Sequence, residues 1–328
     1  MKPYLNDYKI QQYIQKNVKL KEWKCLHAGC DCNSINSHFL QQKGVLDLLA
    51  KDYHLYELKQ NDLFQRKEKG EFGFFRVGIK KAFSLPMFCA FHDADLFKDI
   101  ENNDAVSFND YKTQLLLSYR ACCNEIRRKE IINEVYRRIL QSKQFQNKNV
   151  QEAIKIDIPQ HNLGISDFIF YKECFETEIS FNQKNTFSFD VYEYPLIKLC
   201  ASGVFTPLDN SDSFKLKTYL YQEKPLNTVF VNIFPHKNRL FLIFGYHKNF
   251  TSNWIREYIN SWKLIDSKML RIKLTELLAA KMNSWILSPE LYQKIPQYKK
   301  DIFINYWNHN ANDLSISQKV NFNLFENI

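Results

Sequence analysis

The sequence of 328 residues predicts an α+β protein in which a helical, cysteine-containing region precedes a domain built on an antiparallel sheet. Three observations support this prediction. A long amphipathic helical pattern occupies residues 110–145. Segments rich in aromatic and β-branched residues dominate the second half of the chain. The polar, turn-rich stretch 147–167 lies between them, so we predict a boundary near residue 150 and two domains, residues 1–150 and 151–328.

The first half contains two predicted helices. The first twenty residues carry apolar side chains near helical spacing, which predicts an amphipathic helix. Residues 23–101 mix cysteines, histidines, short apolar stretches and turn signals. The helix predicted over 110–145 has an apolar stripe that includes Leu115, Tyr119 and Ile126. A stripe of this length predicts that one face of the helix is buried.

The second half contains β-strand patterns followed by helices. Strands are predicted at DFIFY (167–171), TFSFDVY (186–192), LIKLCAS (196–202), TVFVNIF (228–234) and LFLIFGY (240–246). The last two form a predicted hairpin, because only five residues separate them. Helices are predicted near 252–264 and 267–283. A further helix is predicted to begin at Ser288-Pro289, with Ser as the N-cap and Pro at the first helical position.

Charge and composition narrow the environment in which the protein acts. The net charge is +9, and residues 1–150 hold +7 of it, with 25 Lys and Arg against 18 Asp and Glu. This asymmetry predicts contact with a polyanion, above all nucleic acid, although a solvated basic surface explains it equally well. No apolar run is long enough for a membrane helix, and the first residues lack the apolar core of a signal peptide. We therefore expect a cytoplasmic protein with reduced thiols and no membrane contact.

Cysteines and histidines in the first half have the spacing of a zinc site. Cys25 and Cys30 form a C-x4-C pair, and Cys89 and His92 form a C-x2-H pair. Each spacing lets a short turn present two ligands to one ion, and structural zinc takes four such ligands in a tetrahedron. Within the first cluster Cys32 is an alternative to Cys30, and His27 lies between the paired cysteines. Buried free thiols are the other interpretation, but the polar surroundings of the first cluster disfavour it.

The order of these motifs resembles that of the zinc-bearing HNH, or ββα-metal, endonucleases. The motifs are C-x4-C, then Asn-Ser-His, then C-x2-H-Asp. More narrowly, CLHAGCDCNSINSHFLQQ with FCAFHDADLFKDIE is similar to the N-terminal signature of uncharacterised bacterial HNH-like proteins, some of them associated with phage defence. The resemblance covers about residues 25–101. Two positions depart from the HNH pattern: Ser37 stands where these enzymes usually have Asp or His, and His92 replaces the second Cys of the distal knuckle.

The resemblance implies a catalytic role for His38 and Asp93. His38 matches the general base, which must be a neutral imidazole to deprotonate water. Asp93 follows the second zinc pair and matches a ligand for a catalytic divalent ion, Mg²⁺ or Mn²⁺. His54 is a second candidate for contact with phosphate or metal. An isolated histidine is more often structural, so the flanking knuckles are what favours His38.

The long helix of the first half offers a surface for phosphates. Arg127, Arg128, Arg137 and Arg138 are its candidate nucleic-acid-binding residues, and they outnumber the nearby glutamates. An ordinary solvated helix face explains the same residues, and the spacing of Glu134 and Arg138 favours an ion pair within the helix.

Three classes of function remain open from the sequence. The first is a metal-dependent HNH-like endonuclease with structural zinc, which could be an anti-phage defence effector. The second is a nucleic-acid-binding protein in which zinc only stabilises the fold. The third is a protein-interaction or sensing module, with a protein partner or an oligomer. Motifs for ATP hydrolysis, dinucleotide binding and zinc-dependent proteolysis are absent from the sequence.

Overall fold

The computed structural model describes residues 5–61, 70, 72–101, 106–184, 186–208, 224–310 and 315–328. The α-helices in these ranges are α1 (Leu5–Lys19), α2 (Asp47–Leu49), α3 (Ala90–Glu101), α4 (Tyr111–Gln141), α5 (Lys148–Phe181), α6 (Asn253–Asn260), α7 (Ser267–Ala280), α8 (Pro289–Lys294) and α9 (Gln297–Asn310). The strands are β1 (Asn36–His38), β2 (His54–Gln60), β3 (Phe72–Gly78), β4 (Ser84–Pro86), β5 (Phe187–Pro195), β6 (Leu199–Phe205), β7 (Val229–His236), β8 (Arg239–His247) and β9 (Trp285–Leu287).

A seven-stranded antiparallel sheet forms the centre of the molecule. Its strand order is β3-β2-β9-β6-β7-β8-β5, and every neighbouring pair is antiparallel. The predicted α+β class with an antiparallel sheet is therefore confirmed. Strands β2 and β3 come from the first 150 residues. The short strand β9 lies between β2 and β6 and pairs with both. The sheet thus joins segments from both of the regions that the sequence analysis separated.

Helices cover both faces of this sheet. Alternate residues of β7 point to opposite sides: Phe230 and Phe234 join a core with α4 and α5, whereas Val231 joins a core with α6, α7 and α9. Because both faces are buried, the strands have nearly continuous apolar runs. None of the helices in the described ranges is long and apolar enough to cross a membrane.

The connection predicted around residue 150 is wrong in its local structure. Residues 147–167 are not turn-rich, because α5 begins at Lys148 and continues through the whole segment, with Pro159 inside it. The strand predicted at DFIFY (167–171) also lies within this helix. Asn147 caps α5 by accepting a hydrogen bond from the Val150 amide at 3.2 Å. The helix packs along α4, and its buried residues include Ile154, Phe168, Tyr171 and Phe175.

Most other predicted elements are present. The helix predicted over 110–145 is α4, and Asp110 caps it through the Thr113 amide. The hairpin is β7–β8, with positive φ at both Lys237 and Asn238, the twist that favours a two-residue turn. Ser288 is the N-cap of α8, as predicted, and accepts a hydrogen bond from the Leu291 amide.

A second, two-stranded sheet lies beside the N-terminal cysteines. It pairs β1 with β4, so that Ser37 lies opposite Leu85 and His38 opposite Ser84. Helix α3 begins four residues after β4 ends. This ribbon and helix place the residues of the candidate site.

Candidate functional site

The four side chains predicted to bind zinc meet at one point. The Sγ atoms of Cys25, Cys30 and Cys89 and a ring nitrogen of His92 all lie within 4.8 Å of one another. Cys25 and Cys89 are buried, and the other two residues are half-buried. Of the described residues, these four form the cluster that could hold a metal ion.

The distances within the cluster match the edges of a tetrahedral site. The Sγ atoms of Cys30 and Cys89 are 3.9 Å apart. His92 Nδ1 lies 3.5 Å from Cys25 Sγ and 3.3 Å from Cys89 Sγ. Zinc with bonds of about 2.3 Å to sulfur and about 2.0 Å to nitrogen requires edges of roughly 3.5–3.8 Å. The four donor atoms are therefore already close to the spacing of a closed, four-coordinate metal site.

The first ligand pair is held by a tight knuckle. The Cys25 amide donates to Cys32 O at 2.9 Å, and the Cys30 amide donates to His27 O at 3.2 Å. Gly29 has φ of +70°, a conformation that favours glycine, and this turns the chain back toward Cys30. Cys32 is exposed, and its thiol interacts with those of Cys30 and Cys89, but it is not one of the four donors that lie within 4.8 Å of one another. The geometry therefore favours Cys30 of the two alternatives.

The second ligand pair lies at the beginning of α3. Cys89 immediately precedes the helix, and His92 is in its first turn, so the C-x2-H spacing directs both side chains to one side. The His92 amide donates a hydrogen bond to Cys89 Sγ at 3.5 Å. Amide donors near a thiolate stabilise its negative charge, which suits a metal ligand.

Glu176 ties the first knuckle to helix α5. Its Oε1 accepts hydrogen bonds from the Ala28 amide at 3.1 Å and from the Tyr119 hydroxyl at 2.7 Å. Its Oε2 is 2.7 Å from Lys172 Nζ, one helical turn away. His27 lies 3.4 Å from the same carboxylate, and its ring contacts the ring of His92. The knuckle is therefore fixed by a buried, fully bonded carboxylate, an outer contact typical of metal sites.

A polar cluster surrounds the guanidinium of Arg120, next to the metal ligands. Arg120 is 1% exposed, and its guanidinium lies over the Phe97 ring at 3.8 Å. It donates to Glu101 Oε1 at 2.8 Å and lies 3.9 Å from Asp93 Oδ1. Its Nε has no hydrogen-bond partner among the described residues. A buried cation between two carboxylates, one of them exposed, creates a strongly polar position at the surface of α3 and α4.

His38 takes part in this cluster as a neutral imidazole. Its Nε2 donates to Ile79 O at 3.3 Å, which leaves Nδ1 as the unprotonated nitrogen. Burial lowers the pKa of His38, and the charge of Arg120 lowers it further. The Ile79 carbonyl and the carboxylates of Asp93 and Glu101 oppose that shift. The half-buried ring therefore remains unprotonated at neutral pH.

Asp93 is the second predicted catalytic residue in the cluster. Burial raises its pKa, whereas Arg120 and the Ser37 side chain lower it. Its Oδ1 is buried and accepts no hydrogen bond from a described residue. A carboxylate oxygen without a hydrogen-bond donor is a suitable ligand for a hard divalent cation. His38 and Asp93 thus act on each other electrostatically, and their catalytic roles stay a prediction.

No protein-family model, curated protein or solved structure matches the chain. The residues of the site are consequently the basis for any functional assignment.

The four arginines predicted to bind nucleic acid have partners within the protein. Arg127 is 3% exposed, donates to Lys24 O, and stacks on Trp23, so it is not presented at the surface. The other three are partly exposed and are paired with glutamates: Arg128 with Glu125, and Arg137 and Arg138 with Glu134. Contacts between these three residues and nucleic acid remain a prediction.

Sequence reasoning did not assign Arg120, Glu101 and Glu176 to the site. Arg120 and Glu101 are 19 residues apart in different helices, and Glu176 lies 148 residues from Ala28, so spacing within one helix gives no signal for these contacts. His54 begins β2 and contacts Asp52 O through Nδ1 at 2.6 Å. It is not among the groups that shift the pKa of His38 or Asp93.

Proposed function

We propose that this protein is a metal-dependent, HNH-like endonuclease. In this proposal zinc bound by Cys25, Cys30, Cys89 and His92 stabilises the N-terminal region. The chemistry takes place at the neighbouring cluster of His38, Asp93 and Arg120. The observation that carries the proposal is the pairing of a neutral His38 with an Asp93 oxygen that lacks a hydrogen-bond donor, both beside a buried arginine.

The order of local elements also supports the proposal. Strand β1 ends at His38, pairs with β4, and is followed by α3, which contributes Asp93. This is a β-β-α arrangement with β2 and β3 inserted between its strands. The similarity of residues 25–101 to HNH-like proteins of phage-defence type supports a role as an anti-phage effector within the same proposal.

The mechanism assigns one task to each residue. His38 accepts a proton at Nδ1 from the attacking water, while Ile79 O holds the ring through Nε2. Asp93 would ligate a divalent cation, Mg²⁺ or Mn²⁺, which when bound supplies positive charge to the phosphate oxygens. Arg120 adds a fixed positive charge in a position that excludes water, and Glu101 orients it. Glu101 is the more exposed carboxylate and would be a further oxygen ligand.

A cleavage assay with Asp93→Asn tests the proposal. The amide keeps the size of the side chain but removes the charge that a divalent cation requires. We expect cleavage to fall by at least about tenfold, as for the loss of a contact that supports a metal site, while the metal content of the cysteine cluster is unchanged. Substrates are single- and double-stranded DNA and RNA with added Mg²⁺ or Mn²⁺.

Asp95→Asn is the matched control for this assay. Asp95 lies in the same helix two residues further on, is exposed, and forms an ion pair with Lys98. The Asp95→Asn variant should cleave at the wild-type rate. Wild-type protein that cleaves none of these substrates would contradict the endonuclease assignment and leave the zinc-stabilised binding module as the better description.

A further inference from the structure

A cavity outside the candidate nuclease site lies between α4, α5 and one end of the large sheet. Its volume is about 290 Å³. Polar residues of α4 and α5 form one wall, and the rings of Phe72, Phe168 and Trp307 contribute to the other walls. Pockets for small molecules have this combination of apolar walls and a few placed polar groups.

Two neighbouring cations of α4 reach this cavity with unused hydrogen-bond donors. Arg128 Nε is buried and has no hydrogen-bond partner among the described residues. Lys129 forms neither an ion pair nor a hydrogen bond with a described residue, and its nearest ring is Phe168 at 6.0 Å. An unpaired buried donor costs about 1–3 kcal/mol, and more when it is charged, so such groups normally have a partner.

The side chain of Lys129 is enclosed by helix α5. A methyl group on Gly164 would lie 3.1 Å from Lys129 Cε and 3.5 Å from its Nζ, so glycine at this position leaves room for the lysine. Burial lowers the pKa of Lys129, and the charge of Arg128 lowers it further. The ammonium group is therefore in an environment where a bound anion would be favourable.

Three carboxylates, those of Glu125, Asp157 and Asp167, line the same cavity as Lys129. Glu125 is the acid that raises its pKa, and Glu125 already holds Arg128 at 2.6 Å. Asp167 bonds the Leu226 amide instead, and burial raises its pKa to about 6. After burial, Lys129 and Arg128 are the groups that lower the pKa of His161 to about 4. At this end of the cavity, Lys129 Nζ and Arg128 Nε are thus donors without an acceptor among the described residues.

We propose that this cavity binds a small phosphate ester, with the phosphate group at Lys129 and Arg128 and the organic part against the aromatic walls. Phosphate oxygens are acceptors only, and they match the free donors of a lysine and an arginine. His161 lies at the same end of the cavity, and its Nδ1 donates to Asn133 Oδ1 at 2.9 Å. The proposal is independent of the endonuclease assignment.

Titration calorimetry with inorganic phosphate and with phenyl phosphate tests this site. The 328-residue chain is titrated at constant ionic strength. Wild-type protein should bind both probes, and phenyl phosphate should bind more tightly because its ring reaches the apolar walls. In Lys129→Gln the affinity for both should fall at least about tenfold, since a charge-assisted contact contributes roughly 1.5–3 kcal/mol.

Lys112→Gln is the control for net charge in the same helix. Lys112 is exposed and pairs with Asp99, far along α4 from the cavity, so its variant should bind like wild type. Thermal unfolding without ligand checks the fold: Lys129→Gln removes an unpaired cation and should unfold at the wild-type temperature or higher. Binding that is absent in wild type at millimolar phenyl phosphate, or equal in wild type and Lys129→Gln, would overturn the proposal.

Discussion

Replacing Cys89 with serine should release the metal ion from the N-terminal cluster and lower the thermal stability of the protein. Cys89 Sγ lies 3.9 Å from Cys30 Sγ and 3.3 Å from His92 Nδ1. Two of the three edges that meet at this sulfur are therefore close to the lengths of a tetrahedral zinc site. Serine is a much weaker zinc ligand than a thiolate. We expect metal content to fall from about one ion per chain to near zero, as measured by mass spectrometry of the purified protein.

The size of the stability effect follows from two general magnitudes. Structural zinc binds zinc-finger peptides with apparent free energies of about 10–16 kcal/mol, which is comparable with the whole net stability of a domain, about 5–15 kcal/mol. Each kcal/mol changes Tm by roughly 2–4 °C in chains of 150–250 residues. Loss of only part of the binding energy should therefore lower Tm by about 10 °C or more.

Cys32→Ser is the control for this variant. Cys32 lies two residues after Cys30, is exposed and is not one of the four donors that lie within 4.8 Å of one another. Its replacement should leave the metal content and Tm as in wild type. A Cys89→Ser protein that retains its full metal content would show that the cluster is not a metal site. Loss of metal in Cys32→Ser would instead assign the second ligand of the first knuckle to Cys32.

Replacing His38 with alanine is expected to remove cleavage while the protein keeps its metal and its affinity for nucleic acid. A positioned general base contributes typically 10²–10⁴-fold to a rate, so we expect a loss of about that size. In the proposed mechanism the base acts on the transition state, whereas the four metal-binding residues stabilise the fold. The variant should therefore lose cleavage without losing metal or nucleic-acid binding. Cleavage rate, metal content and binding are measured on the same preparation.

Two further variants make the His38 result specific. His38→Gln keeps a donor toward Ile79 O but supplies no base at neutral pH, so it should be as inactive as His38→Ala. His309→Ala replaces an exposed histidine near the end of α9 and should cleave like wild type. A His38→Ala protein with wild-type cleavage would exclude His38 as the base.

The cluster of three cysteines and one histidine could be predicted from the sequence because its signal is local. Two short pairs, C-x4-C and C-x2-H, each specify a turn or a helix start that directs two ligands to one side, and the structure brings both pairs together. The 58 residues between the two pairs did not indicate that the pairs would come together in space. Arg120 and Glu101 could not be predicted in the same way, since only the packing of α3 on α4 joins them.

The sequence around residue 150 contains a helical pattern that outweighs its turn-forming residues. Val150, Ile154 and Ile158 recur every fourth residue, and all three pack in the core below α4. This is the spacing of one helix face, which the polar residues between them and Pro159 concealed. At residues 167–171, aromatic and β-branched residues favoured a strand, but packing of Phe168 and Tyr171 against the sheet from α5 prevailed.

The position of β9 has a consequence for how the chain folds as it is synthesised. Strand β2, at residues 54–60, pairs with β9 at residues 285–287, more than 220 residues later. The β2 edge of the β2–β3 pair therefore has no partner until residues 285–287 have been synthesised. Such distant pairing slows folding, because the loop must close before the contact forms. A fragment that ends near residue 150 would expose this edge, and it should aggregate rather than fold as an independent metal-binding unit.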